Sequence, residues 1–173
     1  MKRYLFLLLT TFLTASHPPL PVPHVDAEKF SGLWYEVART YNRYEKECVA
    51  STVEYQMEGD ESYKVHNRCF RKVIGGELIE YEGKAEPSND FRSMSEIDIT
   101  YYYIFTQQYL VLHLEEDYSA AVVADEAMER VWIMSREPQV EAYKLQIILS
   151  KLEKHMDLSR LIYTPQDEKG RYR

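Results

Sequence analysis

The chain has no block of basic residues. Its 21 Lys and Arg stand against 28 Asp and Glu, a net charge of −7; loss of the first 16 residues would take Lys2 and Arg3 and leave 19 against 28, or −9. Phosphate contacts need clustered cations, so nucleic acid is excluded as a partner. Glycine is scarce at six residues, and they build neither a phosphate loop nor a nucleophile elbow. The five histidines, at 17, 24, 66, 113 and 155, contain no close-spaced metal pair, and His66 falls on a polar strand face. Ser119 beside Asp117 reads as a turn rather than as part of a triad. No enzyme activity, metal or cofactor is expected. No apolar run approaches the roughly 20 residues of a membrane-spanning helix. Of only two cysteines the first is Cys48, so none stands where an exported precursor would be cleaved and acylated. A lipid anchor is therefore not expected.

What the sequence does contain is a 45% hydrophobic content, sufficient for a packed core in one domain, and 15 tyrosines. Tyrosine suits strands and half-wet apolar surfaces, where the ring is buried and the hydroxyl keeps a partner. Met1-Lys2-Arg3, an apolar run from Tyr4 to Leu13 and Thr14-Ala15-Ser16 read as a cleavable export signal over residues 1–16. Residues 17–24 hold four of the seven prolines and form an extended leader. Asp26 fits an N-cap for a short helical turn that closes at Phe30 and Gly32.

From Leu33 to Arg136 the dominant period is two. Glu96-Ile97-Asp98-Ile99-Thr100-Tyr101 alternates polar and apolar, as do Thr52–Met57, Tyr63–Arg68 and Glu80–Ala85. Successive strand side chains face opposite sides, so each segment has a wet face and an apolar face. Less polar runs at Tyr109–Leu114, Ala120–Ala124 and Val131–Ser135 should be covered on both sides. With Leu33–Arg39 these make eight strands. Turn residues at Glu58-Gly59-Asp60, Gly75-Gly76, Pro87–Asp90, Glu115–Asp117 and Asp125-Glu126 keep the connections short. Short connections imply an antiparallel up-and-down meander, and closure into a barrel hides its edges. After Pro138 the apolar residues Val140, Tyr143, Ile147, Ile148 and Leu152 recur at helical spacing, for a helix of about 16 residues outside the barrel. Arg160–Tyr163 can add a short strand, and 165–173 is a polar tail.

Two cysteines in an exported chain point to one disulfide. A hairpin centred near Glu58-Gly59 sets Cys48 opposite Cys69. That register pairs odd with even positions, whereas both apolar faces are odd; a bulge or an odd-length turn reconciles them. A nucleophilic or metal-binding cysteine is the rival reading.

Gly32-Leu33-Trp34-Tyr35-Glu36-Val37-Ala38-Arg39, after a helical turn, resembles the G-x-W signature of the lipocalin family. Glu116-Asp117-Tyr118-Ser119 resembles its second motif, and Trp132-Ile133-Met134-Ser135-Arg136-Glu137-Pro138 its third. The resemblance runs from about Val25 to Thr164, so 25–164 is the expected domain. It is strongest to bacterial members of the outer-membrane lipoprotein kind, which are similar to apolipoprotein D. It implies an all-β, eight-stranded antiparallel lipocalin barrel with one C-terminal helix packed outside. Trp34 would sit inside the closed end with Arg136 across its ring, so Gly32, Trp34, Asp117, Tyr118 and Arg136 are structural residues.

The strand alternation supplies a candidate lining of Val53, Tyr55, Val65, Asn67, Tyr81, Gly83, Ala85, Ile97, Ile99 and Tyr101, with Gly83 and Ala85 as the main givers of space. The resemblance adds Tyr109, Val111, Ala120, Val122, Trp132 and Met134, and places Glu36 inward with Trp34 and Ala38. An inward carboxylate must be paired, hydrated or protonated; it bonds either a ligand head group or a neighbouring Tyr or Arg. Tyr101-Tyr102-Tyr103 and Tyr41–Tyr44 are candidates for the barrel rim. The expected function is binding and transport of a small hydrophobic ligand, a fatty acid or lysophospholipid, by an exported protein, periplasmic or secreted. Peripheral membrane contact is a second expected association, and the oligomeric state is monomer or weak dimer. The alternatives are a protein-interaction lipocalin acting through its loops, and a cavity isomerase of the kind that uses a thiol.

Overall fold

The alternating segments become eight antiparallel strands that close on themselves in the computed structural model, which describes residues 19–59, 62–88 and 93–167. The export signal at 1–16, His17-Pro18 of the leader, Asp60, Asn89-Asp90 and the tail from 168 onward lie outside the described residues. A one-turn helix α1 (Ala27–Phe30) precedes β1 (Gly32–Arg39). Its N-cap is Asp26, whose carboxylate accepts the Lys29 N–H at 2.9 Å, as the sequence indicates. Then follow β2 (Cys48–Met57), β3 (Tyr63–Arg71), β4 (Leu78–Pro87), β5 (Glu96–Tyr101), β6 (Phe105–Leu114), β7 (Ala120–Ala124) and β8 (Val131–Ser135). Each pairs with its sequence neighbour, and β1 pairs with both β2 and β8, which closes the barrel.

Two packed clusters divide the apolar residues. One fills the barrel and includes Trp34, Tyr55, Val65, Ile97, Val111 and Met134. The other lies between the outer wall and helix α2 (Ala142–Leu152), and includes Ala38, Val122, Ile133, Ile148 and Leu152. The helix has 11 residues rather than about 16. Its buried stripe is Leu145, Ile148, Leu149 and Leu152, while Tyr143 and Ile147 face solvent. Aromatic and aliphatic residues on the outer side made the stripe look displaced by a third of a turn.

Bulges account for the remaining departures. In β2 the register to β3 slips between Val49 and Thr52, where Ala50 has φ +49°. Beyond the slip Tyr55 pairs with Val65 and Val53 with Asn67, odd with odd. The extra residue returns Cys48 to the face that carries Cys69, and the two form a disulfide with Cα atoms 5.4 Å apart. Cys48 stands opposite Arg71 and the bridge runs diagonally, so the direct pairing of the two cysteines is corrected. In β1 a slip between Glu36 and Ala38 turns Ala38 outward against the helix cluster and brings Arg39 inward. A slip in β6 between Val111 and His113 puts Leu114 back inside, opposite Ala121. In β7, which pairs with β8 without a slip, Ala121 and Val123 face the lumen, and Ala120 and Val122, expected inside, face the helix.

Past Tyr35 and Thr52 the strands β1 and β2 part. The gap is filled by β9 (Ile162–Tyr163), paired to β1, and by the residues after it. The Ala50 N–H donates to Pro165 O at 2.7 Å, and Gln166 Nε2 donates to Glu36 O and Ser51 O, both at 2.8 Å. Pro165 and Gln166, assigned by sequence to a polar tail, therefore belong to the wall.

Candidate functional site: the barrel lumen and its mouth

The base is sealed. Trp34 is fully buried, donates its indole N–H to Phe30 O at 2.8 Å, and packs beside the Phe30 ring at 5.0 Å. The Arg136 guanidinium lies 3.8 Å from the centre of the Trp34 ring. It donates to Leu33 O at 2.8 Å, Lys29 O at 2.7 Å and Phe30 O at 3.0 Å. A cation over an indole face is favourable and strengthens as water is excluded. Burial brings the Arg136 pKa down to about 10, which still leaves it charged at neutral pH. Gly32 has φ +94°, and a Cβ there would stand 3.4 Å from Arg136 Nη1, so the motif glycine serves both backbone and clamp. Tyr118 (φ +58°) accepts the Asp26 N–H on its hydroxyl at 3.0 Å. Asp117 accepts the Ser119 N–H, and hydrogen bonds from Ser119 hold its carboxyl below its ordinary range.

Above the base, Tyr55, Val65, Ala85, Ile97, Ile99, Tyr109, Val111 and Met134 are all buried inside the barrel, as their place in the alternation requires. The space expected at Gly83 is taken: the Tyr101 ring stands 3.0 Å from where its Cβ would be, and the Tyr101 hydroxyl accepts Asn67 Nδ2–H at 2.8 Å. Burial raises the Tyr55, Tyr101 and Tyr109 hydroxyls above the ordinary phenol range, so all three are neutral donors and acceptors. Toward the other end the inward side chains Val53, Asn67, Tyr81, Tyr101 and Trp132 are only half-buried. Inward side chains that water still reaches mark the opening of the barrel. Val122 and Ala120 do not line it, because Val123 stands opposite Val111 and Trp132, which puts the odd positions of β7 inward and the even ones beneath the helix.

A polar cluster stands in the wall of this mouth. Glu36 is buried inward beside Met134, and its carboxylate meets Arg39 Nη1 at 3.3 Å and accepts a short hydrogen bond from the Thr164 hydroxyl. Arg39, itself buried, also donates to Thr164 Oγ1 at 3.3 Å and to Glu45 O, and its Nε–H has no hydrogen-bond partner among the described residues, with Glu45 Oε2 3.9 Å away. Glu45 in turn accepts from Trp132 Nε1 at 3.2 Å and from Asn42 Nδ2 at 2.9 Å. Burial, and next the negative charge of Glu45, raise the Glu36 pKa well above the ordinary carboxylate range despite Arg39 and Thr164. The alternatives left by the sequence resolve toward a neighbouring arginine. Arg39, Glu45 and Thr164 were missed: the β1 bulge and the fold-back of the C-terminal segment bring them there, and neither has a periodic signature. The disulfide takes both sulfurs that a thiol isomerase would need.

A raised carboxyl pKa has a definite sign for stability. The folded state holds the Glu36 proton more tightly than the unfolded chain, so this group's contribution is fully present below the ordinary glutamate pKa and is lost as pH rises through the folded one. Glu36→Gln keeps an acceptor for Thr164 and removes the titration. The stability of the wild type relative to Glu36→Gln should fall as pH rises above the ordinary glutamate range in urea titrations; a difference that stays constant with pH would exclude a raised Glu36.

A closed eight-stranded barrel stoppered by Trp and Arg at one end and open at the other is the frame of a ligand-binding β-barrel. Residues 25–166 match the lipocalin-like domain, and the chain belongs to the lipocalin family, whose members bind small hydrophobic ligands. It is 35% identical over 149 residues to the outer membrane lipoprotein Blc of Vibrio cholerae, covering 84% of this chain and 85% of the relative. It is 27% identical over 157 residues to temperature-induced lipocalin-1 of Arabidopsis thaliana, at 85% and 82% coverage. Among solved structures, insecticyanin from Manduca sexta superposes with a TM-score of 0.70 at 19% identity, covering 90% and 87% of the two chains. Apocrustacyanin C2 superposes with a TM-score of 0.64 at 22% identity, covering 83% and 81%. The Vibrio cholerae relative is by its name a lipoprotein, so the expectation of an unanchored chain finds no support there.

Proposed function

We propose that this protein is an exported lipocalin that binds and carries a small amphipathic lipid, a fatty acid or lysophospholipid, in the mouth half of its barrel. The observation that carries this reading is the pairing, at one opening, of half-buried apolar and aromatic walls with a buried guanidinium that has a donor to spare. Val53, Tyr81, Tyr101 and Trp132 are the proposed contacts for the chain, with Tyr109 and Met134 as its floor. Arg39 Nε–H is the proposed donor to a carboxylate or phosphate head group, while the Trp132 indole N–H stays on Glu45. Glu36 then holds Arg39 in place rather than touching the ligand. Tyr101 covers Gly83, and its ring moves aside to admit the tail. Export accords with the apolar run at residues 4–13 and with the outer-membrane location in the Vibrio cholerae relative's name. Intact-mass measurement of the mature N-terminus distinguishes a cleaved from an acylated chain.

The test is titration with a fluorescent fatty acid, joined to extraction and mass spectrometry of co-purified lipid. Saturable binding displaced by unlabelled fatty acid is the expected result. Asn67→Trp places a large ring at the opening and should weaken binding by the folded protein about tenfold or more, the loss of about 1.4 kcal/mol; it also removes the hydrogen bond to the Tyr101 hydroxyl, so binding is measured where the variant is fully folded. Absence of saturable binding in the delipidated wild type, or an Asn67→Trp variant of full affinity, would contradict a ligand at the mouth.

A further inference from the structure

We propose that the open end of the barrel is a membrane-docking surface, on which exposed aromatic and aliphatic side chains of three neighbouring connections seat in the head-group zone of a lipid bilayer. The primary observation is the turn between β5 and β6. Tyr102 and Tyr103 have φ +52° and +61°, and the Ile104 N–H donates back to Tyr101 O at 3.2 Å. Two consecutive left-handed residues are the mark of a hairpin turn that favours Asn-Gly, and bulky residues there cost free energy. Among the described residues nothing covers them: Tyr102 is 64% exposed and Tyr103 fully exposed, followed by Ile104 at 73% and Phe105 at 65%. Residues held in a costly conformation with their apolar surface in water point to a partner outside the molecule.

The same end carries more of this surface. Tyr41 and Tyr44 are exposed on the β1–β2 connection, and Val73 on the β3–β4 connection. In a meander these connections lie with the β5–β6 turn at one end of the barrel. Charge selects the occupant. In a chain of net −7, the segment Tyr101–Phe105 carries no ionisable acid or base other than its tyrosine hydroxyls. The connections beside this arc are charge-balanced: Arg43 and Lys46 stand against Glu45 and Glu47 on β1–β2, and Lys72, paired with Glu47 at 3.3 Å, against Glu77 on β3–β4. An excess of acid at this end, Asp125, Glu126 and Glu129 against Arg130, is confined to the β7–β8 connection. The Arg43 guanidinium lies 4.6 Å from the centre of the Tyr44 ring. A charge-balanced aromatic arc in an otherwise acidic chain matches the zwitterionic head-group layer of a bilayer, where tyrosine rings concentrate. This surface does not depend on whether the lumen carries a lipid.

Flotation of the full chain with phosphatidylcholine vesicles, at low and high salt, tests the proposal. The wild type should float with the vesicles, and binding should persist at high salt because burial of rings rather than unscreened charge holds it. Tyr102→Asn/Tyr103→Gly should reduce the bound fraction at least about tenfold while raising the unfolding midpoint, since the turn then has the residues it favours. Ile104→Ser, outside the left-handed pair, should also reduce binding. A wild type that stays with the soluble fraction, or variants that float equally well, would overturn the proposal. So would a dimer in lipid-free solution abolished by the same variants, which would assign the surface to a second copy of the chain.

Discussion

Trp34→Ala destabilises the protein by about 3–5 kcal/mol, the cost of removing a large buried aromatic and leaving its cavity. The ring is fully buried, lies between the Phe30 side chain and the Arg136 guanidinium, and donates to Phe30 O. Its loss leaves that carbonyl with fewer donors and strips Arg136 of the aromatic face beneath it. Because the barrel above is packed, the walls cannot collapse far into the void, so the upper part of this range applies. Arg136→Met is the companion variant: it keeps an apolar stem over the indole but deprives Leu33, Lys29 and Phe30 of donors. It should cost about 1–3 kcal/mol, since the part-buried Leu33 and Phe30 carbonyls each lose a charged donor, although Phe30 O keeps the Trp34 indole N–H. Urea unfolding measures both. Both sites are at the sealed end, so any ligand affinity of the folded fraction should be unchanged. A Trp34→Ala variant as stable as the wild type would remove the base clamp from the account.

Opening the disulfide, by Cys48→Ala/Cys69→Ala, should cost about 3 kcal/mol, the loop-closure value for a bridge spanning a chain segment of this length. The two cysteines are separated by 21 positions. They join the start of β2 to the end of β3, where a bulge has broken the regular ladder and the pairing is least able to hold itself. In the native protein the bridge therefore fastens the mouth ends of two strands, while the rest of the hairpin is held by an unbroken register from Thr52 to Met57. The variant should unfold at lower urea with the strand signal of its circular dichroism intact beforehand. A loss below about 0.5 kcal/mol would show that the unfolded chain gains little freedom when the bridge is absent.

The eight strands could be read because the faces of a barrel wall impose a period of two, and most segments keep it without interruption. The base clamp could be read because three short motifs occur in order, on residues whose partners lie at fixed places in that wall. The mouth was less accessible. A bulge in β1 reverses the parity beyond it, so Ala38 was placed inside when it faces the helix, and Arg39 was overlooked. Ala120 and Val122 lie in an all-apolar strand whose two faces look alike in sequence, and only the pairing of Val123 with Val111 and Trp132 decides which is inward. A bulge adds one residue and leaves no compositional trace. Glu36 was found because a charge interrupts an apolar face. Its partners Arg39, Glu45 and Thr164 belong to a bulge, a loop and a distant segment, where contact is decided by tertiary packing. The helix stripe was displaced for a simpler reason: Tyr143 and Ile147 are apolar residues that remain in water.

The chain has two tryptophans, one at each end of the lumen, and their indole N–H resonances report separately on base and mouth. On addition of fatty acid to the delipidated, isotopically labelled protein, the Trp132 indole resonance should shift saturably while that of Trp34 stays where it was. Neither indole moving under a large excess of lipid, or both moving together, would contradict a ligand held at the mouth above a closed base.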